Sequence, residues 1–410
     1  MQLKASSASS VGYSFGVDDR IYRALCDILV GLFDIVRAQD FTTEEWNLFG
    51  SLAEDQGVAP LIYWKFTQFG CPENIPQVVC DRLANSYYRT AAQNLLIYRE
   101  LRHIINSLYE AEIQVVVLKG AALAATVYPN IALRPMGDLD LLVHRKDLEK
   151  TTELILSLGY KIESSERVSG IGQFINHDIS LRNQSDKNLV IELHWRLIAG
   201  DADWRSPAVD WFFGQTEIVN AKNIPLSFTI LNIPTHLIYL SAHQMLQHGE
   251  EQARLCWLYD LHLLICQDAS KIDWRKLFAD ANRFHWGPVI GFALRKIHKL
   301  FGTPLPDDFD ILVNDYQDQR TLVLLDRRSY PPESRLTREF RRIQTLNWQA
   351  RILFVLAIIF PSPSHIKRHY HPKPSWLWPL FYFYRWLDIL FDSLFNFPKI
   401  ILECFRKREI

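Results

Sequence analysis

Residues 113–143 read IQVVVLKGAALAATVYPNIALRPMGDLDLLV, and the prediction of the fold class rests on this segment. It begins with IQVVVL, a short β-branched run typical of a buried strand, and continues past Lys119 and Gly120 into the helix-forming residues AALAATVY. A turn at Pro135 then leads to DLDLLV, a second strand. The order strand, tight turn, helix, turn and strand predicts an α/β unit at this point of the chain.

The regions on both sides of this unit extend the prediction. Two more strand-like runs, over residues 174–181 and 189–197, flank the polar stretch NQSDKN and predict an antiparallel hairpin. Apolar residues recur at helical spacing on both sides of this centre. The chain is therefore expected to contain a flexible tail (1–17), a helical N-terminal region (18–110), an α/β core (111–232), a helical C-terminal domain (233–350) and an aromatic-rich amphipathic segment (351–410).

The composition excludes several classes of protein. Hydrophobic residues make up 48% and charged residues 22% of the chain, as in an ordinary folded globular protein. The formal net charge of −1 creates no overall field to attract nucleic acid, so a nucleic acid is the less favoured partner. Six cysteines without a C-x-x-C pair indicate a reducing compartment, and the sequence shows neither a secretory signal nor a run that could span a bilayer. We expect a cytoplasmic protein.

Asp138 and Asp140 are the first candidates for chemistry. Side chains of a strand alternate between its two faces, so both carboxylates point to the same side, about 7 Å apart. Paired carboxylates of this kind hold Mg²⁺, or Mn²⁺ in its place, and two such ions stabilise the attacking and leaving oxygens of phosphoryl transfer. A polar strand end explains the D-x-D motif equally well.

Two other segments add to this motif. Lys119 and Gly120 lie between a strand and a helix start, where backbone N–H groups and the helix dipole favour an anion such as a triphosphate, although Gly120 alone could simply form a turn. In IELHWRL, alternation places Glu192, His194 and Arg196 on one face. Glu192 would be a third metal carboxylate, and the two cationic residues would touch phosphate or acceptor. The alternative is a solvent-facing edge strand.

Together, these segments resemble a known family. LKGAALAATVYPNIALRPMGDLDLLV followed by IELHWRL is similar to the uncharacterised nucleotidyltransferase family of the DNA polymerase β-like superfamily, most strongly over residues 113–197. The resemblance implies a polymerase β-like nucleotidyltransferase core with a mixed sheet, flanked by helical regions, that binds Mg²⁺ and a nucleoside triphosphate. It assigns the metal carboxylates to Asp138, Asp140 and Glu192, and the phosphate turn to Lys119 and Gly120.

One residue departs from the superfamily pattern. Ala121 follows Gly120 where the superfamily usually carries Gly-Ser, so no hydroxyl is available to hold a phosphate. Backbone donors, Lys119 or Arg134 would have to substitute for it. Arg134 lies four residues before Asp138, which suits either a contact with the triphosphate or a surface ion pair.

The resemblance also implies a reaction. A nucleoside monophosphate would move from an NTP such as ATP to an acceptor, and pyrophosphate would be released. Glu192 or His194 would take the acceptor's proton, and core packing is an equal alternative for His194. The acceptor would be a small molecule, a peptide, a protein side chain or, less favoured, a nucleic-acid end. The alternative from another class is a non-catalytic protein that keeps the same cleft to sense a nucleotide or to bind a partner.

Two further features lie downstream of the core. His248, Arg254, Trp257 and Asp260 would line the cleft wall and contact base, ribose or acceptor, or would belong to an ordinary packed helix. Residues 361–410 are aromatic-rich and carry eight basic against four acidic residues. This pattern predicts an amphipathic segment that lies on a membrane surface, binds a partner, or folds back on the N-terminal helices.

Overall fold

The computed structural model describes residues 17–34, 40–163, 177–186, 189–198, 209–222, 224–249, 253–316 and 348–391, with isolated positions between 317 and 347. Its α-helices include α1 (Val17–Leu29), α2 (Thr43–Asp55), α3 (Ala59–Phe69), α4 (Gln77–Glu110), α5 (Lys119–Thr126), α6 (Leu148–Ser157), α7 (Val209–Phe213), α8 (Ile233–Ala242), α9 (Leu255–Gln267), α10 (Trp274–Asn282), α11 (Gly287–Phe301), α12 (Phe309–Asp315), α13 (Trp348–Ile359) and α14 (Pro363–Tyr370). Its strands are β1 (Val115–Val117), β2 (Leu139–Val143), β3 (Tyr160–Ile162), β4 (Asp178–Asn183), β5 (Val190–His194), β6 (Thr216–Asn220) and β7 (Ser227–Leu231). Predictions that fall on residues 1–16, 174–176 and 392–410 lie outside the described residues.

The central sheet has five strands in the order β1-β2-β5-β4-β3, and β6 and β7 form a separate hairpin. β1 pairs antiparallel with β2, β2 pairs parallel with β5, and β4 pairs antiparallel with both β5 and β3. The strand–turn–helix–turn–strand prediction is confirmed as β1, α5 and β2, and the predicted hairpin as β4 and β5. The sheet is mixed, and helical regions precede and follow it in the chain, which confirms the predicted fold class. The domain boundaries stay predictions.

The apolar face of β2 and β5 forms the core beneath the sheet. All five residues of β2 are buried, and its apolar residues Leu139 and Leu141 are paired in register with Ile191 and Leu193. These side chains belong to one buried apolar cluster that includes residues of α4 and α5, whereas the helical flanks form a second cluster. Because strand side chains alternate, burial of this face turns the polar residues of both strands to the opposite face.

The long helix α4 fixes the chain between β1 and β2. The buried Asn94 side chain donates to the carbonyls of Ile131 and Arg134, at 2.5 and 2.9 Å. The Tyr98 hydroxyl donates to the carbonyl of Ala121, at 2.6 Å. Buried carbonyl groups without a partner are costly, so these bonds hold both α5 and the loop before β2 in place.

The described C-terminal residues, 348–391, leave many apolar side chains in solvent. Those exposed are Trp348, Ile352, Val355, Leu356, Phe360, Trp376, Leu380, Phe383, Tyr384, Leu387, Leu390 and Phe391. Arg385 is buried and donates to the carbonyl of Ile358, at 2.9 Å, so parts of this segment pack on one another. Within the part of the chain that the structure describes, we find no helix with the length and apolar character needed to cross a membrane. The contact of this segment with a membrane or a partner stays a prediction, as does the cytoplasmic location.

Acid is expected to destabilise the protein through His236, which is buried in α8. Desolvation lowers the pKa of His236 from 6.5 to about 4. Between pH 6.5 and pH 4, His236 is therefore protonated in the unfolded chain but neutral in the folded protein. The stability that depends on a neutral His236 is complete above pH 6.5 and is lost as the pH falls towards 4. The loss should be about 2–3 kcal/mol. Urea unfolding of the wild type and of His236→Phe at pH 7.5 and pH 4.5 measures it, and equal losses in both proteins would contradict the assignment.

Candidate functional site

Strand register brings three side chains that could ligate a metal together. Asp140 on β2 is paired with Glu192 on β5, and Leu142 is paired with His194, so the three polar side chains share one face of the sheet. Nε2 of His194 lies 2.9 Å from Oδ1 of Asp140 and 3.7 Å from Oε2 of Glu192. One donor atom from each residue lies within 4.8 Å of the other two. The structure therefore places Glu192 next to Asp140, on the same side of the sheet.

Lys119 joins this group from the first position of α5. Its Nζ lies 2.8 Å from Oδ1 of Asp140 and 3.7 Å from Oε2 of Glu192. The side chain of Asp140 is 2% exposed and that of Lys119 is 16% exposed, so the contact is largely shielded from water. The sequence-based prediction put this ammonium group at a phosphate, whereas the structure pairs it with carboxylates.

The charges of this group keep one another ionised. Burial alone would raise the pKa of Asp140, but Lys119 and His194 hold it well below its usual range. Burial alone would lower the pKa of Lys119, but Asp140, Tyr239 and Glu192 raise it well above its ordinary value. Desolvation also opposes a charge on His194, yet hydrogen bonds to Asp140 and Glu192 raise its pKa. Near neutral pH the lysine is therefore an ammonium ion and Asp140 a carboxylate.

Asp138, just before β2, indicates an excess of negative charge at the site. Its pKa is raised to about 7, first by the charge of Asp140 and then by burial and by Glu192, while Lys119 acts in the opposite direction. A carboxyl group that resists ionisation beside other carboxylates is typical of sites that bind a cation. Asp138 lies outside the close group that Asp140 and Glu192 form with the histidine.

Asp178, His177 and Tyr239 also belong to the site, although the sequence analysis did not identify them. Asp178 on β4 is paired in register with His194, and its Oδ1 lies 2.9 Å from Nδ1 of His177. Among the described residues, the buried hydroxyl of Tyr239 has no hydrogen-bond partner. Burial raises the pKa of Tyr239 most, Lys119 acts in the opposite direction, and the nearby carboxylates raise it further. The alternating polar residues of DISLRN in β4 are a usable signal for Asp178. A tyrosine within an apolar helix gives none.

Arg134 forms a buried ion pair, which corrects the prediction of a surface pair. Its Nη2 lies 2.8 Å from Oδ2 of Asp260, and its Nε lies 3.2 Å from both oxygens of that carboxylate. The Tyr128 hydroxyl donates to Oδ1 of Asp260, at 2.7 Å. Arg134 is 7% and Asp260 1% exposed. Asp260 therefore links α9 to the loop before β2 rather than lining a cleft wall, and the structure gives no support to a triphosphate contact by Arg134.

Arg196 lies beyond the strand, so the predicted alternation does not reach it. β5 ends at His194, and the N–H groups of Trp195 and Arg196 both donate to the carbonyl of His177, at 3.0 and 3.2 Å. Two consecutive N–H groups on one carbonyl are typical of a bulge, which reorients the side chains that follow. Burial and the charge of Arg196 lower the pKa of Arg145, so these two cations are neighbours. The alternation expected for Glu192, His194 and Arg196 therefore ends at His194, and contact of Arg196 with phosphate or acceptor stays a prediction.

Gly120 lies at a closely packed position at the start of α5. A Cβ at this position would lie 3.0 Å from Cγ of Met136 and 3.4 Å from Nη1 of Arg134. The glycine therefore allows the loop before β2 to lie directly against the helix. Its role in phosphate binding stays a prediction.

Trp257, at the start of α9, contacts the other two residues proposed for the cleft wall. Its ring centroid lies 4.7 Å from that of His248, and the guanidinium of Arg254 lies 5.6 Å from the same ring. Trp257 is partly buried and packs against the cluster of the helical flanks. The alternative of ordinary helix packing is thus the one the structure supports, and contact with a base stays a prediction.

Comparisons with known proteins identify the family of the chain. A family model described as "uncharacterised nucleotidyltransferase" matches residues 42–302. No curated protein is significantly similar to the chain. Among solved structures, the chain resembles an antigenic nucleotidyltransferase-like protein from Paracoccidioides brasiliensis at 14% identity, over 54% of this chain and 92% of that chain, with a TM-score of 0.30, too slight a likeness to argue from. Because the family model matches more than half of its residues, the chain belongs to the uncharacterised nucleotidyltransferase family.

Proposed function

We propose that the protein transfers a nucleoside monophosphate from a nucleoside triphosphate to an acceptor and releases pyrophosphate, with Mg²⁺ or Mn²⁺ as cofactor. The observation that carries this proposal is the in-register pairing of Asp140 with Glu192 beside His194. Four carboxylates of the described residues interact with the single ammonium of Lys119: Asp138, Asp140, Asp178 and Glu192. Such an excess of negative charge favours a divalent cation.

The donor set suits a hard divalent cation. Carboxylate oxygens are the ligands that Mg²⁺ and Mn²⁺ prefer, and we assign them to Asp138, Asp140 and Glu192. His194 donates to Asp140 over 2.9 Å and so orients the carboxylate, as residues behind metal ligands commonly do. When bound, the cation would help to neutralise the charge of the triphosphate and of the departing pyrophosphate.

The side chains of the protein supply the remaining chemistry. As the acceptor oxygen bonds to the α-phosphorus, the bond from that phosphorus to the pyrophosphate oxygen breaks, and the acceptor proton passes to a base. The raised pKa of His194 disfavours it as that base, so we assign the step to Glu192, whose side chain is 29% exposed. Lys119 contributes a positive charge next to the reacting phosphates. The acceptor is a small molecule, a peptide or a protein.

The activity can be tested with the full-length protein and each nucleoside triphosphate, labelled at the α-phosphate. We expect label on an acceptor, together with an equal amount of pyrophosphate, in Mg²⁺ or Mn²⁺ and not in EDTA. Small hydroxyl and amino compounds, a peptide mixture and the protein itself cover the acceptor classes. The absence of both label transfer and pyrophosphate with every triphosphate and both metals would contradict the proposal.

A second candidate function is nucleotide sensing without catalysis. Lys119 favours it, because an ammonium ion already contacts both Asp140 and Glu192 without a metal. Such a protein would bind a triphosphate equally well in Mg²⁺ and in EDTA and would release no pyrophosphate. Calorimetric titration of the triphosphate in both buffers distinguishes the two functions.

A further inference from the structure

Lys119 occupies the space between the two carboxylates to which we assign the metal. Its Nζ lies 2.8 Å from Oδ1 of Asp140 and 3.7 Å from Oε2 of Glu192. Those two carboxylates are direct neighbours on adjacent parallel strands. The ammonium group is thus bound where a cation shared by both acids would lie.

The backbone holds Lys119 in this position against two unfavourable effects. Its φ of 45° lies in the left-handed region, which costs a residue with a Cβ about 1–3 kcal/mol when the surroundings impose it. It is also the first residue of α5, where the helix dipole disfavours a cation. The contacts with the two carboxylates are the favourable interactions that offset both effects.

A divalent cation and this ammonium group compete for the same oxygens. Mg²⁺ bound to a carboxylate lies about 2.0–2.1 Å from its oxygen. An ion held by Asp140 and Glu192 would therefore come close to an Nζ that stays 2.8 Å from Asp140, and like charges at such a separation repel strongly in a site shielded from water.

We propose that Lys119 is a displaceable internal cation: it fills the metal position of the metal-free protein and leaves it when the divalent ion binds. This inference rests on the proposed function, because it assumes that Asp140 and Glu192 bind a metal. The released ammonium group has a natural second partner in the phosphates of the nucleotide. The lysine thereby weakens the binding of metal alone and favours the binding of metal together with the triphosphate.

The first test measures the affinity for Mn²⁺ alone by calorimetric titration, without nucleotide. Lys119→Met removes the charge and keeps most of the stem, and Lys161→Met, at an exposed position of β3, is the matched control. We expect Lys119→Met to bind Mn²⁺ about tenfold or more tightly than the wild type, and the control to bind it unchanged. Unchanged or weaker binding by Lys119→Met would overturn the proposal, and so would the absence of Mn²⁺ binding in both proteins.

The second test uses the wild-type protein, because Lys119→Met could fail to fold without metal. Amine acetylation followed by peptide mass spectrometry measures how accessible each lysine is. We expect Mn²⁺ to increase the labelling of Lys119 severalfold and to leave that of Lys161 unchanged. Protection of Lys119 that is the same with and without bound Mn²⁺ would overturn the proposal.

These outcomes are separate from those of the transfer assay. Tighter Mn²⁺ binding by Lys119→Met in a protein that transfers no nucleotide would support the role of the lysine and refute the enzymatic function. Nucleotide transfer by the wild type, together with an unchanged Mn²⁺ affinity of Lys119→Met, would support the enzymatic function and refute the role of the lysine.

Discussion

Glu192→Gln is expected to lower nucleotidyl transfer about a thousandfold and to leave the protein folded. The variant keeps the size of the side chain and removes a charge that we assign to both metal binding and proton removal, each of which contributes several kcal/mol to such reactions. Glu192 is 29% exposed, so an amide in its place can be solvated. Pyrophosphate release measures the rate, and circular dichroism with thermal melting measures folding.

Asp140→Asn should reduce the rate to a similar extent, but with a loss of stability. Asp140 is 2% exposed and contacts both Lys119 and His194, so the amide leaves buried cations without their counter-charge. Comparison of Glu192→Gln with Asp140→Asn therefore distinguishes a loss of catalytic rate from a loss of stability. Glu217→Gln, at an exposed position of β6, is the control and should keep full activity.

The same variants distinguish the enzyme from the sensor. An enzyme loses turnover in Glu192→Gln while its metal-independent contacts with the nucleotide persist. A sensor has no turnover to lose, and its affinity for the triphosphate should not fall when a carboxylate that repels phosphate is neutralised. A Glu192→Gln protein with wild-type pyrophosphate release would contradict the assignment of Glu192.

The acidic part of the site could be predicted because it depends on local rules. Strand alternation in DLDLLV and IELH determines which side chains share a face of the sheet. Because one face is buried in the core, the acidic side chains lie on the opposite face. The same rule does not extend to Arg196, because a bulge after His194 ends the alternation. The residues HWRL contain no signal that predicts this bulge.

The basic part of the site could not be predicted, because it depends on contacts between distant segments. The residues next to Arg134 in the sequence predict a surface ion pair or a contact with phosphate. Its partner, Asp260, lies instead on a helix that begins far downstream in the chain. Lys119 follows a strand as phosphate-binding residues do, and only the packed structure shows that Asp140 is within reach of its Nζ. Local patterns therefore identified which residues matter better than they identified their partners.

The buried pair of Arg134 and Asp260 should have the largest effect on stability. Arg134→Met removes a guanidinium that makes three hydrogen bonds to the carboxylate, and leaves the buried Asp260 with the hydroxyl of Tyr128 as a hydrogen-bond donor. Removal of one member of a buried ion pair leaves the other charge buried without its counter-charge. We therefore expect the free energy of unfolding to fall by about 3–5 kcal/mol. Urea denaturation measures this change.

A double variant and an exposed pair provide the controls. Arg134→Met combined with Asp260→Leu removes both charges and should recover most of the lost stability, because the main cost in the single variant is the unpaired carboxylate. Arg275 and Asp308 form a matched pair at 2.6 Å, with side chains 76% and 33% exposed, and Arg275→Met should change stability by less than about 1 kcal/mol. Equal effects of Arg134→Met and Arg275→Met would mean that the Arg134 pair does not hold α9 against the loop that leads into Asp138. The acidic residues would then owe their positions to the strand pairing alone.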